Sequence, residues 1–388
     1  MTGRDRTPTD GPTTVVHLIT TLTQGGAERA ISLVVPSPDE AESLGERHVV
    51  VALAPGGMFA DLLRERGVEV RDLGMRPGRD LVAGALRLRA TIKELKPTVV
   101  VAWMYHAMFL AELATLGSRS ERRPSIAWML QGSLHTTAGL PWHTRLIIAL
   151  LARRSGAPLA VAINSDTGRE HHEQHGYRPR RWVMVPSGCD TAVFRPDAQD
   201  RIAVREELRI APDALLAVSV ARDHPQKDHA TMIAAVDHAH RQLPGLELLL
   251  VGTRTERFTR EAPSVPRIHG LGERSDVTRL LRAADLVLSS SITEGMPNAI
   301  LEAMSSGLPA VVTDVGDCRM AVGDAGHVVA PEDPEALAEA IVLIGGLGRS
   351  ERAALGDRAR RHIIDNFGVE RACSAYRTLW RPAQPADH

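Results

Sequence analysis

The sequence has little cysteine: three residues in 388. Cys189, Cys318 and Cys373 stand far apart, with no CxxC and no Cys/His spacing that would hold zinc, which fits a reducing compartment and no structural metal. It also lacks net charge. Lys and Arg number 46 against 47 Asp and Glu, a formal charge of −1, so there is no global basic field to attract nucleic acid. Long apolar runs are missing too. A continuous apolar stretch such as 146–152 is far short of the ~20 residues a membrane helix needs. The opening MTGRDRTPTDGP is polar and turn-rich, without an apolar signal core, and reads as a short disordered tail over 1–13. These absences lead to the expectation of a cytoplasmic protein, with peripheral membrane contact left open.

What remains is ordinary globular material, 44% apolar and 24% charged, at a length that suits two domains or three. Short β-branched runs alternate with helical stretches. In the first half the strand-like runs fall at 15–20, 49–53, 68–72, 98–103, 125–130, 159–163 and 182–186. Apolar strands with intervening helices predict a parallel sheet covered on both faces. The rhythm breaks at 187–213, which carries Gly188, Pro196, Asp197 and Pro212 and reads as a linker. A second series follows at 215–220, 246–251, 265–269, 286–290, 310–313 and 327–329. The expected organisation is a first domain over 14–190, a linker over 191–212 and a second domain over 213–368. Two open α/β sheets so joined predict a cleft, because ligands of such sheets sit beyond the carboxyl ends of the strands.

Three motifs fall at those ends. Thr20 to Glu28, TTLTQGGAE, follows the first strand and opens a helix. Gly25 and Gly26 there permit close backbone approach to a ligand, and the helix start favours an anion. The pattern is neither GxGxxG nor GxxxxGK[ST], so a dinucleotide fold fingerprint and a P-loop are both disfavoured, and a purely structural turn stays open. In the second half, Arg222 follows the strand 215–220 and Lys227 precedes the next helix, two cations placed for a diphosphate or, alternatively, solvated surface charge.

The third motif is TEGMPNAILEAM. It sets Glu294 in a turn and Glu302 about one turn inside a helix that starts near Pro297. At ~1.5 Å of rise per residue the two carboxylates suit separate hydroxyl groups of an extended ligand better than one shared proton or metal. Free amides around residues 298–300 could hold a phosphate. The alternative has Glu294 capping the helix and Glu302 on the surface. No Asp-x-Asp and no His cluster offers a dedicated metal site.

Together these residues resemble the retaining glycosyltransferases of family 4, with the EX7E spacing of Glu294 and Glu302. The likeness extends through VVHLITTLTQGGAERA, NSDTGREHHEQHGYRPRRWVMVPSGCDTAVFRPD, VARDHPQKDHATMIAA and AADLVLSSSITEGMPNAILEAMSSGLPAVVTDVGD, and covers roughly residues 14–382. It implies the GT-B fold: two Rossmann-like, doubly wound α/β domains facing across a cleft, with a C-terminal helix at about 369–382 crossing back to the first. By that resemblance Glu302 would hold the ribose of a nucleotide sugar and Glu294 the donor sugar. Gly295, Met296, Pro297, Asn298 and Ala299 would offer backbone amides to the sugar and distal phosphate. Arg222 and Lys227 would neutralise the diphosphate, with Gly25 and Gly26 closing over it, and the loop around Leu271 would receive the base. The activity implied is transfer of a hexosyl group from a nucleotide-diphosphate sugar to the hydroxyl of a glycan, lipid-linked or small acceptor, with retention and without a metal or other cofactor.

The sequence departs from the family in three places. Trp103 stands near where the family has His, with His106 three residues on as the acceptor-side catalytic candidate; its alternative is a ring packed behind Tyr105 and satisfied by backbone. Ser187 stands where Asn is common, and Ala221 where Gly is common. A nucleotide-sugar epimerase of the same fold and a silent sugar-nucleotide-binding protein are the rival readings. The apolar helix ending in Arg153 and Arg154 reads either as buried against the first sheet or as an interfacial helix; its continuous apolar run favours burial.

Overall fold

In a computed structural model, the structure describes residues 12–23, 25–76, 80–117, 123–134, 136–259 and 267–381. Most of the expected tail 1–13 lies outside the described residues, and its last residue, Thr13, opens the first strand. The chain forms two compact units, Met1–Pro186 with Ala372–His388, and Ser187–Arg371.

The first unit is built on seven parallel strands: β1 (Thr13–Ile19), β2 (Glu46–Ala52), β3 (Glu69–Asp72), β4 (Val99–Trp103), β5 (Ser125–Leu130), β6 (Val161–Ile163) and β7 (Trp182–Met184), in the order β3-β2-β1-β4-β5-β6-β7. The chain winds outward one way from β1, returns, and winds the other way from β4. Because strand side chains alternate, both faces of the central strands must be apolar. Val16 and Leu18 of β1 join Val100 and Ala102 of β4 in one core, while Val15 and Ile19 join Val99, Val101 and Trp103 in the core on the other face.

The second unit repeats the scheme with β8 (Leu215–Val220), β9 (Leu246–Val251), β10 (Ile268–Gly270), β11 (Leu286–Ser289), β12 (Ala310–Thr313) and β13 (Gly326–Val329), in the order β10-β9-β8-β11-β12-β13. Each sheet reverses its winding once, between β1 and β4 in the first and between β8 and β11 in the second. In a doubly wound sheet a ligand gathers at that reversal, at the carboxyl edge.

Two expectations need correcting. Residues 191–212 are not a linker: Asp197 caps the helix Ala198–Glu207 by accepting from the amides of Gln199 and Asp200, and Phe194, Val204 and Ile210 lie in the second unit's core. Pro196-Asp197 is a helix start, which on local composition looks the same as a loop. The helix Trp142–Arg154 is not buried all round. Thr144, Ile148, Leu151 and Ala152 face the sheet, whereas Trp142, Leu146 and Leu150 are exposed.

At the other end of the chain, the helix Val369–Arg377 begins in the second unit, and its Tyr376 stacks on Trp103 in the first, ring centroids 5.4 Å apart. Among the described residues, no helix is long and apolar enough to cross a membrane.

Candidate functional site

At the reversal point of the second sheet, the loops after β8 and β11 are tied together. Ser290 Oγ lies 2.9 Å from the Lys227 carbonyl and 2.8 Å from that of Asp228, and the Ile292 amide donates to the Gln226 carbonyl at 2.9 Å. Thr313, at the end of β12, donates to the Ser291 carbonyl at 2.6 Å. These bonds hold the turn that carries Glu294.

The Glu294 side chain is mostly buried, and one oxygen takes two partners. Lys227 Nζ stands 2.5 Å from Oε1, and Ser291 Oγ donates to the same atom at 2.7 Å. Lys227, expected to neutralise a diphosphate, is paired here with Glu294. Arg222, by contrast, is exposed, with no side-chain partner among the described residues. Behind the turn, burial first and then the charge of Glu294 push the Cys318 thiol up to about 12. Gly316 passes so close that an added Cβ would stand 2.5 Å from the Glu294 carbonyl oxygen, at a φ of +55°, so only glycine fits.

Lys227, Ser291 and Glu294 line a cavity of about 240 Å³, together with Ala221, Pro297 and the start of the helix Asn298–Ser305. That helix has no side-chain cap, so Glu294 does not cap it. Of the amides expected to be free, Asn298 and Ile300 donate to the carbonyls of Met296 and Pro297, and Ala299 is left without a backbone acceptor among the described residues. Met296 is buried in the core while touching the cavity. Glu302 is 6% exposed, not a surface residue. Leu271 follows β10, half-buried against the core, with its amide donating to Leu250. Gly295 accepts from the Asp317 amide at 3.1 Å. Among the described residues, no group of three or more His, Cys, Asp or Glu is placed to hold a metal.

The first unit carries its candidates at its own reversal point. Gly25 caps the helix Gly26–Val34, but the Glu28 carboxylate folds back over it, within 2.4 Å of where a Gly25 Cβ would be, and accepts from Thr21 Oγ1 at 3.1 Å. The helix start expected to face an anion thus already has one of its own. His106 sits in the first turn of the helix Met104–Thr115, entered directly from β4 through Met104 at a φ of +65°. Its ring makes no hydrogen bond among the described residues, so the backbone-satisfied alternative fails. Burial, and then His143 at 6.4 Å between ring centroids, hold its pKa below the usual range. Tyr105 bonds His172 instead, at 2.8 Å.

The sequence reading missed Ser291, Gly316, Cys318, Glu28 and His143. The serine run before Glu294 and the glycine after Asp314 were the available signals.

Residues 19–193 match the family model described as Glycosyltransferase Family 4, and residues 213–344 match the one described as Glycosyl transferases group 1. The chain belongs to the family 4-type glycosyltransferases. Its curated relatives include a D-inositol 3-phosphate glycosyltransferase of Geodermatophilus obscurus, 33% identical over 223 residues, 52% of this chain and 48% of that one. Another is the putative glycosyltransferase EpsF of Bacillus subtilis, 28% identical over 183 residues, 45% of this chain and 48% of that one. The chain thus spans about half the length of the curated relatives it matches. Among solved structures, Anabaena Alr3699/HepE in complex with UDP superposes with a TM-score of 0.78 at 20% identity, covering 94% of this glycosyltransferase chain and 98% of that one. WaaG, a glycosyltransferase involved in lipopolysaccharide biosynthesis, gives 0.66 at 17%, covering 95% and 100%. These likenesses establish the GT-B fold.

Proposed function

We propose that this glycosyltransferase moves a sugar from a nucleoside-diphosphate sugar to an acceptor hydroxyl, with retention at the anomeric carbon and without a metal. The observation that carries the reading is the Lys227–Glu294–Ser291 cluster on a cavity at the carboxyl edge, beside an uncapped helix start. Glu294, paired with Lys227, accepts from donor-sugar hydroxyls. Arg222 and the Ala299 amide face the diphosphate, and Lys227 shifts toward it when the donor supplies the stronger negative charge. As the bond from the anomeric carbon to the diphosphate oxygen breaks, its electron pair leaves on the phosphate, where fixed cations and amides stabilise it most. Glu302 binds the ribose and the Leu271 loop the base. Retention rests on resemblance alone. The relative solved with UDP, and also with UDP-glucose, makes uridine the first base to try.

The test is a thermal-shift panel of UDP, GDP, ADP and dTDP with and without their sugars, since selective binding stabilises the folded state by mass action. Turnover is then followed by proton NMR in excess EDTA. Stabilisation by one nucleotide and an axial-to-axial or equatorial-to-equatorial product support the reading. Loss of transfer on chelation, or an inverted product, overturns the mechanism.

A further inference from the structure

We propose that the outer face of the helix Trp142–Arg154 docks the protein on an anionic lipid surface. The helix, WHTRLIIALLARR, contains no acidic residue. Its inner stripe is committed to the first unit's core, yet a second apolar row at spacing i, i+4, i+8 points outward: Trp142 is 74% exposed, Leu146 50% and Leu150 37%. Such a row in water is costly unless something covers it. Arg145 and Arg153 flank the row, both exposed and without a carboxylate partner among the described residues. Arg154 is shared with the buried Glu112, at 3.3 Å. A tryptophan at one end, leucines along the middle and unpaired arginines beside them match the anatomy of a helix lying in a headgroup layer.

Charge complementarity selects the occupant. The whole chain has a formal charge of −1, so no global field drives it to anything acidic. This helix carries its own positive charge, which meets lipid phosphates in register with the apolar row. The helix Leu81–Leu95, on the same face of the sheet, adds exposed Val82 and Leu86. Docking would also set the acceptor class, an inference that rests on the proposed function. Trp142 is 5.9 Å from His143 between ring centroids, and His143 is 6.4 Å from His106. A bilayer at Trp142 brings an amphiphilic acceptor, hydroxyl head outward, to the side of the unit that holds His106.

The experiment uses the full chain with vesicles of phosphatidylcholine alone and of phosphatidylcholine mixed with phosphatidylglycerol, some carrying a doxyl quencher. Of the five tryptophans, Trp142 alone is exposed. Sedimentation with the anionic vesicles, together with a blue shift and quenching that vanish in Trp142→Phe, is the expected result. Arg145→Gln and Arg153→Gln should each weaken partition about fivefold, and Leu146→Ser with Trp142→Ser should abolish it. Nucleotide affinity measured without vesicles should be unchanged in all of these variants, so docking and donor binding can fail independently. The proposal is overturned by absence of partition at low salt, by partition indifferent to the arginines, or by a dimer that Trp142→Ser dissociates, since a second copy would then cover the face.

Discussion

The two units wind their sheets by one plan but satisfy their buried polar groups by different chemistry. In the first, histidines do it. His17 Nε2 and His48 Nδ1 lie 2.9 Å apart, His48 Nε2 is 3.0 Å from Glu46, and Glu46 also accepts from Trp380 at 3.0 Å and Arg381 at 2.7 Å. His172 sits between the Tyr105 hydroxyl at 2.8 Å and the Gly168 carbonyl at 2.7 Å. In the second, arginines do it. Asp285 accepts from Arg201 and Arg205, each at 2.7 Å, and from the Leu216 amide at 2.8 Å; Arg282 reaches Asp200. Arginine never loses its proton in the ordinary range, whereas buried histidine gains one on acidification. The clusters just named therefore respond differently to acid, although the second unit also pairs His269 with Glu247 at 2.6 Å.

All five tryptophans belong to the first unit, so fluorescence reports that unit alone while circular dichroism reports both. The largest effect should come from Asp285→Ala, which leaves the nearly buried Arg205 without its carboxylate. It should cost about 3–5 kcal/mol, as an early unfolding step in dichroism that tryptophan emission does not follow. Coincident transitions would erase the distinction between the units.

Next is the ionic site itself. Lys227→Met or Glu294→Gln should each lower transfer by about 10²–10³, and the double variant should be little worse than either, because the two side chains act as one partnership. Full additivity would return Lys227 to an independent diphosphate role.

Acid should strike the first unit. Burial lowers the pKa of His172 from the ordinary 6.5 to about 4. Between those values the unfolded chain binds the extra proton, so stability is complete above pH 6.5 and falls as the pH drops toward 4. At ~1.36 kcal/mol per unit the loss is at most about 3 kcal/mol. Fluorescence-detected unfolding across that window should steepen in wild type and flatten in His172→Gln; an unchanged slope in the variant assigns the loss elsewhere. Smallest is Trp380→Phe, which removes one bond to Glu46 and should cost about 1–2 kcal/mol, visible as a lower fluorescence midpoint without change in nucleotide affinity.

The strands of the described residues were legible from the sequence, because in a parallel sheet covered on both faces the central strands are apolar runs between turn residues; the edge strands β3 and β10, with the sequences EVRD and IHG, are the more polar ones. The errors were at the ends, as at β6, where 159–163 shrinks to Val161–Ile163. The position of Arg222, Lys227 and Glu294 at a carboxyl edge was legible for the same reason. The Lys227–Glu294 ion pair was not. It joins residues 67 apart because β8 lies beside β11, a neighbourhood that no local pattern encodes. Glu28 was read only as part of a glycine turn, since its folding back depends on Thr21. The outward row of the helix Trp142–Arg154 was hidden because alanines and leucines fill both stripes, and only packing shows which one the sheet takes.

The chain leaves the first unit at Pro186 and re-enters it at Ala372, which makes the second unit an insertion in the first. A ribosome therefore releases the second unit whole while the first is still missing Tyr376, Trp380 and Arg381. Nascent chains usually complete their N-terminal domain first. Here the order is inverted: Trp103 and Glu46 wait for partners that are translated only after the whole second unit.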